Sequence, residues 1–223
     1  MEPRILPLFP LNVVLFPGMV LPLRIFEPRY RLMMQRLLEG DRHFGVVLVR
    51  EGDETGAPAQ PHQFGTVAEI TKHERLSNGQ MMVVSVGIKR FEILRLLEGE
   101  PYQQAEVNIL EEGDPASPVS SDLQERASDA LNRYLEGLAA VTNLTVSLPD
   151  EPLSAIDLSY LIAASVQVDN DKKQTLLEII PVEERLERAL ALMRAESERI
   201  DAFISKWRTR GDFFYRGFRL SLN

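Results

Sequence analysis

A chain of 223 residues with 44% hydrophobic content is long enough for one large domain or two small ones, and a globular chain of this size buries roughly 70% of its unfolded surface without needing a disulfide or metal. The absence of cysteine excludes thiol nucleophiles, thiolate metal sites and disulfides, and fits a reducing cytosol. The formal charge of −8, from 25 basic and 33 acidic residues, argues against the whole chain being a nucleic-acid binder.

In chain order, residues 6–30 (LPLFPLNVVLFPGMVLPLRIFEPRY) come first: apolar, punctuated by Pro7, Pro10, Pro17, Pro22 and Pro28, and closed by Glu27 and Arg29. Proline cannot donate to a strand ladder, so this pattern predicts short strands at sheet edges joined by tight turns. A helix follows. Pro28 fits its first turn, Met33, Leu37 and Leu38 form a buried stripe, and Gly40 ends it. Glu27, at the start of that helix, is expected to accept orphan backbone N–H groups as a cap.

Strands are predicted at Phe44–Val49, Thr66–Thr71 and Met81–Val86, the last two joined by a hairpin turn at Ser77-Asn78-Gly79. Phe91–Ile93 and Ala105–Ile109 alternate apolar with polar, as strands with one solvated face do. Glu51–Pro61 and Glu111–Ser121 read as exposed connections rich in Gly, Pro and acid. Periodicity changes from about 2 to 3.6 across the second, which places a domain boundary between residues 112 and 119. Glu111 and Glu112 read there as solvating charges.

Helices occupy the remainder. Ser121 and Gln124 suggest a capping box ahead of Leu123, Ala127, Leu131, Tyr134 and Leu138. A second helix starts at Ser154, carrying Leu158, Leu161, Ile162 and Ser165 on one face, and a third spans Lys173–Ile180 before Pro181. The fourth carries a heptad seam of Leu186, Leu190, Met193, Ser197, Ile200, Ile204 and Trp207. Such a seam serves an intramolecular bundle, with homo-oligomerisation through it as the alternative. Residues 206–223 then reverse the charge: Lys206, Arg208, Arg210, Arg216 and Arg219 oppose Asp212, a balance of +4 against −12 for the other residues. Trp207, Phe213, Phe214, Tyr215 and Phe218 are interleaved with them. Trp207, Arg210, Phe213, Phe214 and Arg216 are therefore candidate contacts for bases, an anionic surface or a partner groove, or else pack back on the chain's own acidic helices.

Catalytic constellations are absent from the sequence. No G-x-x-x-x-G-K-[ST] phosphate loop occurs. Ser205 and Lys206 are neighbours on a helix and point in different directions. His43, His62 and His73 lie on different elements without metal-ligand spacing. No catalytic, cofactor or metal residues are assigned, and no apolar run of about 18 residues spans a membrane. Without a secretory signal, the expected location is cytoplasmic.

The opening segment, Phe44-Gly45-Val46-Val47, Gly65-Thr66-Val67-Ala68-Glu69-Ile70, Val86-Gly87-Ile88-Lys89-Arg90-Phe91 and the helical run from Asp169 through Lys173–Glu178 to Arg185-Leu186-Glu187 together resemble the substrate-binding N-terminal domain of the Lon protease family. The resemblance spans about residues 4–200 in order and spacing. It implies an α+β fold: a PUA-like, partly closed β-barrel lobe with one helix over residues 1–112, a helical bundle over 119–207 and a basic, aromatic tail over 208–223. It also implies a standalone domain without the ATPase and serine–lysine protease modules, binding unfolded or exposed hydrophobic polypeptide as an adaptor or in quality control, with a protease or chaperone system as partner. Phe16, Met19, Leu21, Met33 and Met34 are the candidate polypeptide contacts, with the strand edges around residues 10–26 as the site; Met33, Met34, Met81 and Met82 are candidates for an adaptable apolar surface, with at least one of each pair expected in the core. The alternative from another class is an RNA-binding PUA-like module extended by the tail.

Overall fold

A computed structural model describes residues 3–52, 59–113, 119–142 and 152–209. Six strands come first, β1 (Arg4–Leu11), β2 (Val20–Ile25), β3 (His43–Glu51), β4 (Gln60–Arg75), β5 (Met81–Leu97) and β6 (Gln104–Ile109), with α1 (Pro28–Glu39) between β2 and β3. Four helices follow: α2 (Ser121–Thr142), α3 (Ala155–Ser165), α4 (Asn170–Glu178) and α5 (Val182–Thr209). The result is a mixed α+β fold.

The sheet runs β2-β5-β4-β3-β1-β6, and a further β5–β6 pairing closes five of its strands on themselves. Closure depends on the length of β5, whose first half pairs with β2 and whose second half pairs with β6. Phe91–Ile93 is thus not a separate strand. Bulges interrupt β3–β4, β4–β5 and β5–β6, and β2 lies outside the ring, so this is not a clean barrel. Leu6, Leu8, Val47, Val67, Phe91, Ala105 and Val107, from all five ring strands, meet in one core. Two glycines make room for it. A Cβ on Gly45 or Gly65 would lie 2.6 or 2.7 Å from Cζ of Phe91.

β1 corrects the expectation of proline-marked edge strands. It is central, yet Arg4–Pro7 faces only β6 and Leu8–Leu11 faces only β3, in parallel. Pro7 and Pro10 each therefore lie where β1 has one neighbour, and a missing N–H can face the unpaired side. On the other side of the sheet, α1 buries Tyr30, Met33, Met34 and Leu37 against β1–β5, with the Tyr30 ring stacked 4.1 Å from that of Phe9. The Asn78-Gly79 turn forms as expected: Gly79 has φ 77°, and the Asn78 side chain accepts from Gln80 N–H at 3.1 Å.

Two helix starts differ from expectation. Glu27 precedes α1 without capping it; its carboxylate instead takes a 3.0 Å bond from Arg29. At α2 the capping hydroxyl belongs to Ser120, which accepts from Leu123 N–H at 3.3 Å, one residue earlier than Ser121. α3 begins beside Ser154 as expected, and the Ser154 hydroxyl caps it, accepting from Asp157 N–H at 3.1 Å. On α5, Leu186, Leu190 and Met193 share one core with Leu123, Ala127 and Leu131 of α2 and with Leu158 and Ile162 of α3. Val14, Phe16 and Leu48 enter the same core, so helices and strands are packed together.

Candidate functional site

Pro17-Gly18 organises the segment between β1 and β2. Met19 N–H donates to Phe16 C=O at 3.1 Å, and Gly18 has φ 84°. Pro at the second and a positive-φ Gly at the third position are the requirements of a type II turn. Gly18 N–H then donates to Gly87 C=O, and Gly87 N–H to Met19 C=O, at 2.8 and 2.9 Å. The turn thereby sets β2 against β5.

β2 alternates exposed and buried, with Leu21, Leu23 and Ile25 inward and Val20, Pro22 and Arg24 outward. Opposite these outward residues stand Val86, Val84 and Met82 of β5, all half-buried. Glu69, Lys72 and Glu74 of β4 face those three in turn and are exposed. The outward face is thus three columns wide: an edge column of Val20, Pro22 and Arg24, an apolar column of Met82, Val84 and Val86, and a charged column. Ile88 continues the apolar column and is exposed, while Val20 is 60% exposed. No strand pairs with the other side of β2 among the described residues. An apolar sheet face beside an open edge can hold an extended segment by main-chain bonds and by contacts of alternate side chains.

Of the residues expected to make such contacts, Phe16, Met33 and Met34 have no exposed surface and Leu21 is 9% exposed. They are core residues and present nothing to a client. Phe16 packs between strands and helices, its ring 6.3 Å from that of Tyr160. Met19 alone keeps partial exposure, packed against two core clusters. Of the residues that do face outward, Met82 is one of the methionines expected to form an adaptable surface, with its neighbour Met81 in the core, while Val20, Val84, Val86 and Ile88 are concealed by composition. Met81–Val86 is almost continuously apolar and reads as a strand buried on both faces, but only one of its faces is covered. Arg210, Phe213, Phe214 and Arg216 lie outside the described residues, as does the side chain of Trp207.

A second cluster joins strands to helices. Glu112, expected to be a solvating charge, is held by two arginines whose side chains are fully buried. Arg90 donates through Nε and Nη2 to its two oxygens at 2.6 and 3.1 Å, and Arg185 through Nη2 at 3.0 Å. Arg90 also donates to the C=O groups of Leu177 and Ile179 at 2.5 and 2.7 Å, and Arg185 to Ile179 C=O and Ser159 Oγ at 2.8 and 3.0 Å. The Arg185 guanidinium stands 4.2 Å from the centroid of the Tyr160 ring. Burial pushes the Glu112 carboxyl up, but the Arg90 hydrogen bonds, the neighbouring Tyr160 hydroxyl and the charges of both arginines outweigh it and hold the group below its ordinary value. With every bond turned inward, this cluster fastens α4, α5 and the residue-112 connection to β5. Glu111 is exposed, 3.8 Å from Lys89.

The other candidate groups do not converge. His43 lies 3.6 Å from Asp41, His62 lies 3.7 Å from Glu178, and His73 is exposed on β4. Ser205 Oγ donates to Ala202 C=O at 3.0 Å. Among the described residues no group of three or more His, Cys, Asp or Glu could hold a metal ion, and no helix is long and apolar enough to cross a membrane.

Comparison with known proteins gives one family. The model of the ATP-dependent protease La (LON) substrate-binding domain matches residues 5–195. Lon protease 2 of Myxococcus xanthus is 30% identical over 203 residues, covering 88% of this chain and 24% of that protein. Lon protease of Roseiflexus castenholzii is 32% identical over 204 residues, covering 88% and 25%. The chain thus spans about a quarter of the length of these relatives. In fold it is similar to the crystal structure of a Lon N-terminal domain protein from Xanthomonas campestris, with a TM-score of 0.64, 24% identity and coverage of 84% of this chain and 98% of that one. The N-terminal domain of the Mycobacterium avium complex Lon protease gives 0.60, 19%, 86% and 98%. A match over so much of the chain, with the fold to go with it, makes this protein a member of the Lon substrate-binding domain family.

Proposed function

We propose that this chain is a non-catalytic binder of unfolded or exposed hydrophobic polypeptide, acting as an adaptor to a protease or chaperone system. Its strand lobe is read as PUA-like and its helices as a bundle packed on that lobe. The client lies along β2, main chain to the open edge and apolar side chains against Val20, Met82, Val84, Val86 and Ile88. The carrying observation is the outward apolar column beside the outer edge of β2, which no strand pairs among the described residues. Pro22 supports a client-sized role over runaway self-association, because an edge strand lacking one donor is a poor template for stacking copies.

Fluorescence anisotropy of a labelled, permanently unfolded polypeptide tests this at low and high salt, with a folded protein and a short RNA in parallel. Saturable binding to the unfolded chain alone, little affected by salt, is expected. The double variant Val84→Asp with Val86→Asp should weaken it at least about tenfold, since two buried apolar contacts of about 1 kcal/mol each are lost. Unchanged affinity in that variant removes this face from consideration. Binding of RNA that collapses with salt replaces the reading with a phosphate-binding one.

A further inference from the structure

A groove of about 490 Å³ runs between α2 and α5 and shares no residue with the face proposed for clients. Its floor is apolar, with Ala130, Tyr134, Met193 and Ile200. Along its rim, Glu136, Glu198 and Asp201 outnumber Arg133 and Arg194, and Glu125 and Asp129 are exposed elsewhere on α2. Gly137 keeps the groove open: a Cβ there would meet only Ile200 Cγ2, at 3.7 Å.

The chain carries a segment of matching chemistry nearby. α5 forms one wall and continues past Asp201 to Thr209, a helical rise of about 12 Å at about 1.5 Å per residue. Residues 210–223 follow, bearing Arg210, Arg216 and Arg219 with Phe213, Phe214, Tyr215 and Phe218 against the single acid Asp212. At up to about 3.3 Å per extended residue, that stretch is long enough to turn at Gly211 and run back along the groove. We infer that the α2–α5 groove is the docking site of the chain's own residues 210–223, aromatic rings on the floor and arginines on the acidic rim. Docking covers rings that would otherwise form an exposed apolar patch, and places an intramolecular ligand on a surface distinct from β2.

The absence of native cysteine makes the test direct in the full chain. Phe214→Cys is labelled with a nitroxide, and line broadening is read at Ala130, Met193 and Ile200, with Leu94 and Leu96 on the far end of β5 as controls. Broadening confined to the groove is expected, with loss of that broadening in Gly137→Leu, which fills the groove, and in Glu198→Lys with Asp201→Lys, which reverses its rim. Broadening that is absent, or equal at groove and controls, overturns the assignment. So does broadening seen only when the nitroxide and the isotope label are on different molecules, because the occupant is then a second copy. Retention of the pattern in both groove variants overturns it as well. None of these variants touches the β2 face, so polypeptide binding measured on the same samples is judged separately.

Discussion

The outward face of β2 and β5 and the Arg90–Glu112–Arg185 cluster depart from ordinary patterning in opposite directions, and both draw on β5. Its first half presents Met82, Val84 and Val86 outward, while its second half buries the fully covered cation Arg90. The buried charges are fixed by at least one hydrogen bond on every guanidinium nitrogen, as low-dielectric surroundings demand. The exposed apolar column has no such constraint on it and remains available. One strand is therefore tied by buried charge near its middle and presents an apolar column over its first half. Buried polarity here serves the join, and exposed apolarity is where a partner can act.

The strongest way to break this contrast is Glu112→Ala. It leaves Arg90 and Arg185 buried without a counter-charge and should cost about 3–5 kcal/mol, read as a shift in urea midpoint at neutral pH. Acid should do part of the same. The Glu112 carboxyl is held below its ordinary value of 4.5, so its stabilisation is complete above that value and is lost as pH falls through the lower folded one. The wild-type chain should lose stability there, with a shallower dependence in Glu112→Ala. Next comes Gly65→Ala, whose Cβ would lie 2.5 Å from Val46 C=O and 2.6 Å from Val47 Cγ1. Overpacking there should cost about 1–3 kcal/mol, measured by thermal melting. Gly18→Ala meets no atom within 4 Å, but its φ of 84° is unfavourable for alanine, costing about 1–2 kcal/mol. The smallest stability effect per site belongs to Val84→Asp with Val86→Asp, about 1 kcal/mol each at these half-buried strand positions. A loss of client binding at that small cost sharpens the contrast; a large loss of stability would place both valines in the core.

Elements set by neighbours in sequence are legible in the residues themselves: the helix opened by Pro28, the Asn78-Gly79 hairpin, the helix start at Ser154 and the Leu186, Leu190 and Met193 part of the α5 seam, whose Ile204 and Trp207 side chains lie outside the described residues. What escapes such a reading depends on distant partners. Glu112 sits 22 residues from Arg90 and 73 from Arg185, so its local surroundings show only two acids beside Gly and Pro. Met33 and Met34 both reach core because α1 is covered widely enough to bury successive residues, which a single stripe does not predict. The openness of the Val84 face is hidden for the same reason. Side-chain type fixes that a strand is apolar on both faces, while sheet order decides which face is covered.

The two-partner arrangement of β1 has a consequence for how the chain acquires its fold. Arg4–Pro7 pairs with Gln104–Val107, so the first strand waits for nearly the last before its ladder can form. Contacts this remote in sequence form slowly, since a long loop must close before they contribute. During synthesis, Leu6 of an emerging chain lacks its strand partner Ala105 until β6 has left the ribosome, whereas Leu8 can already pair with β3. Over that interval the start of this chain is an apolar segment without its strand partner, the kind of segment that the proposal above assigns to the β2 face.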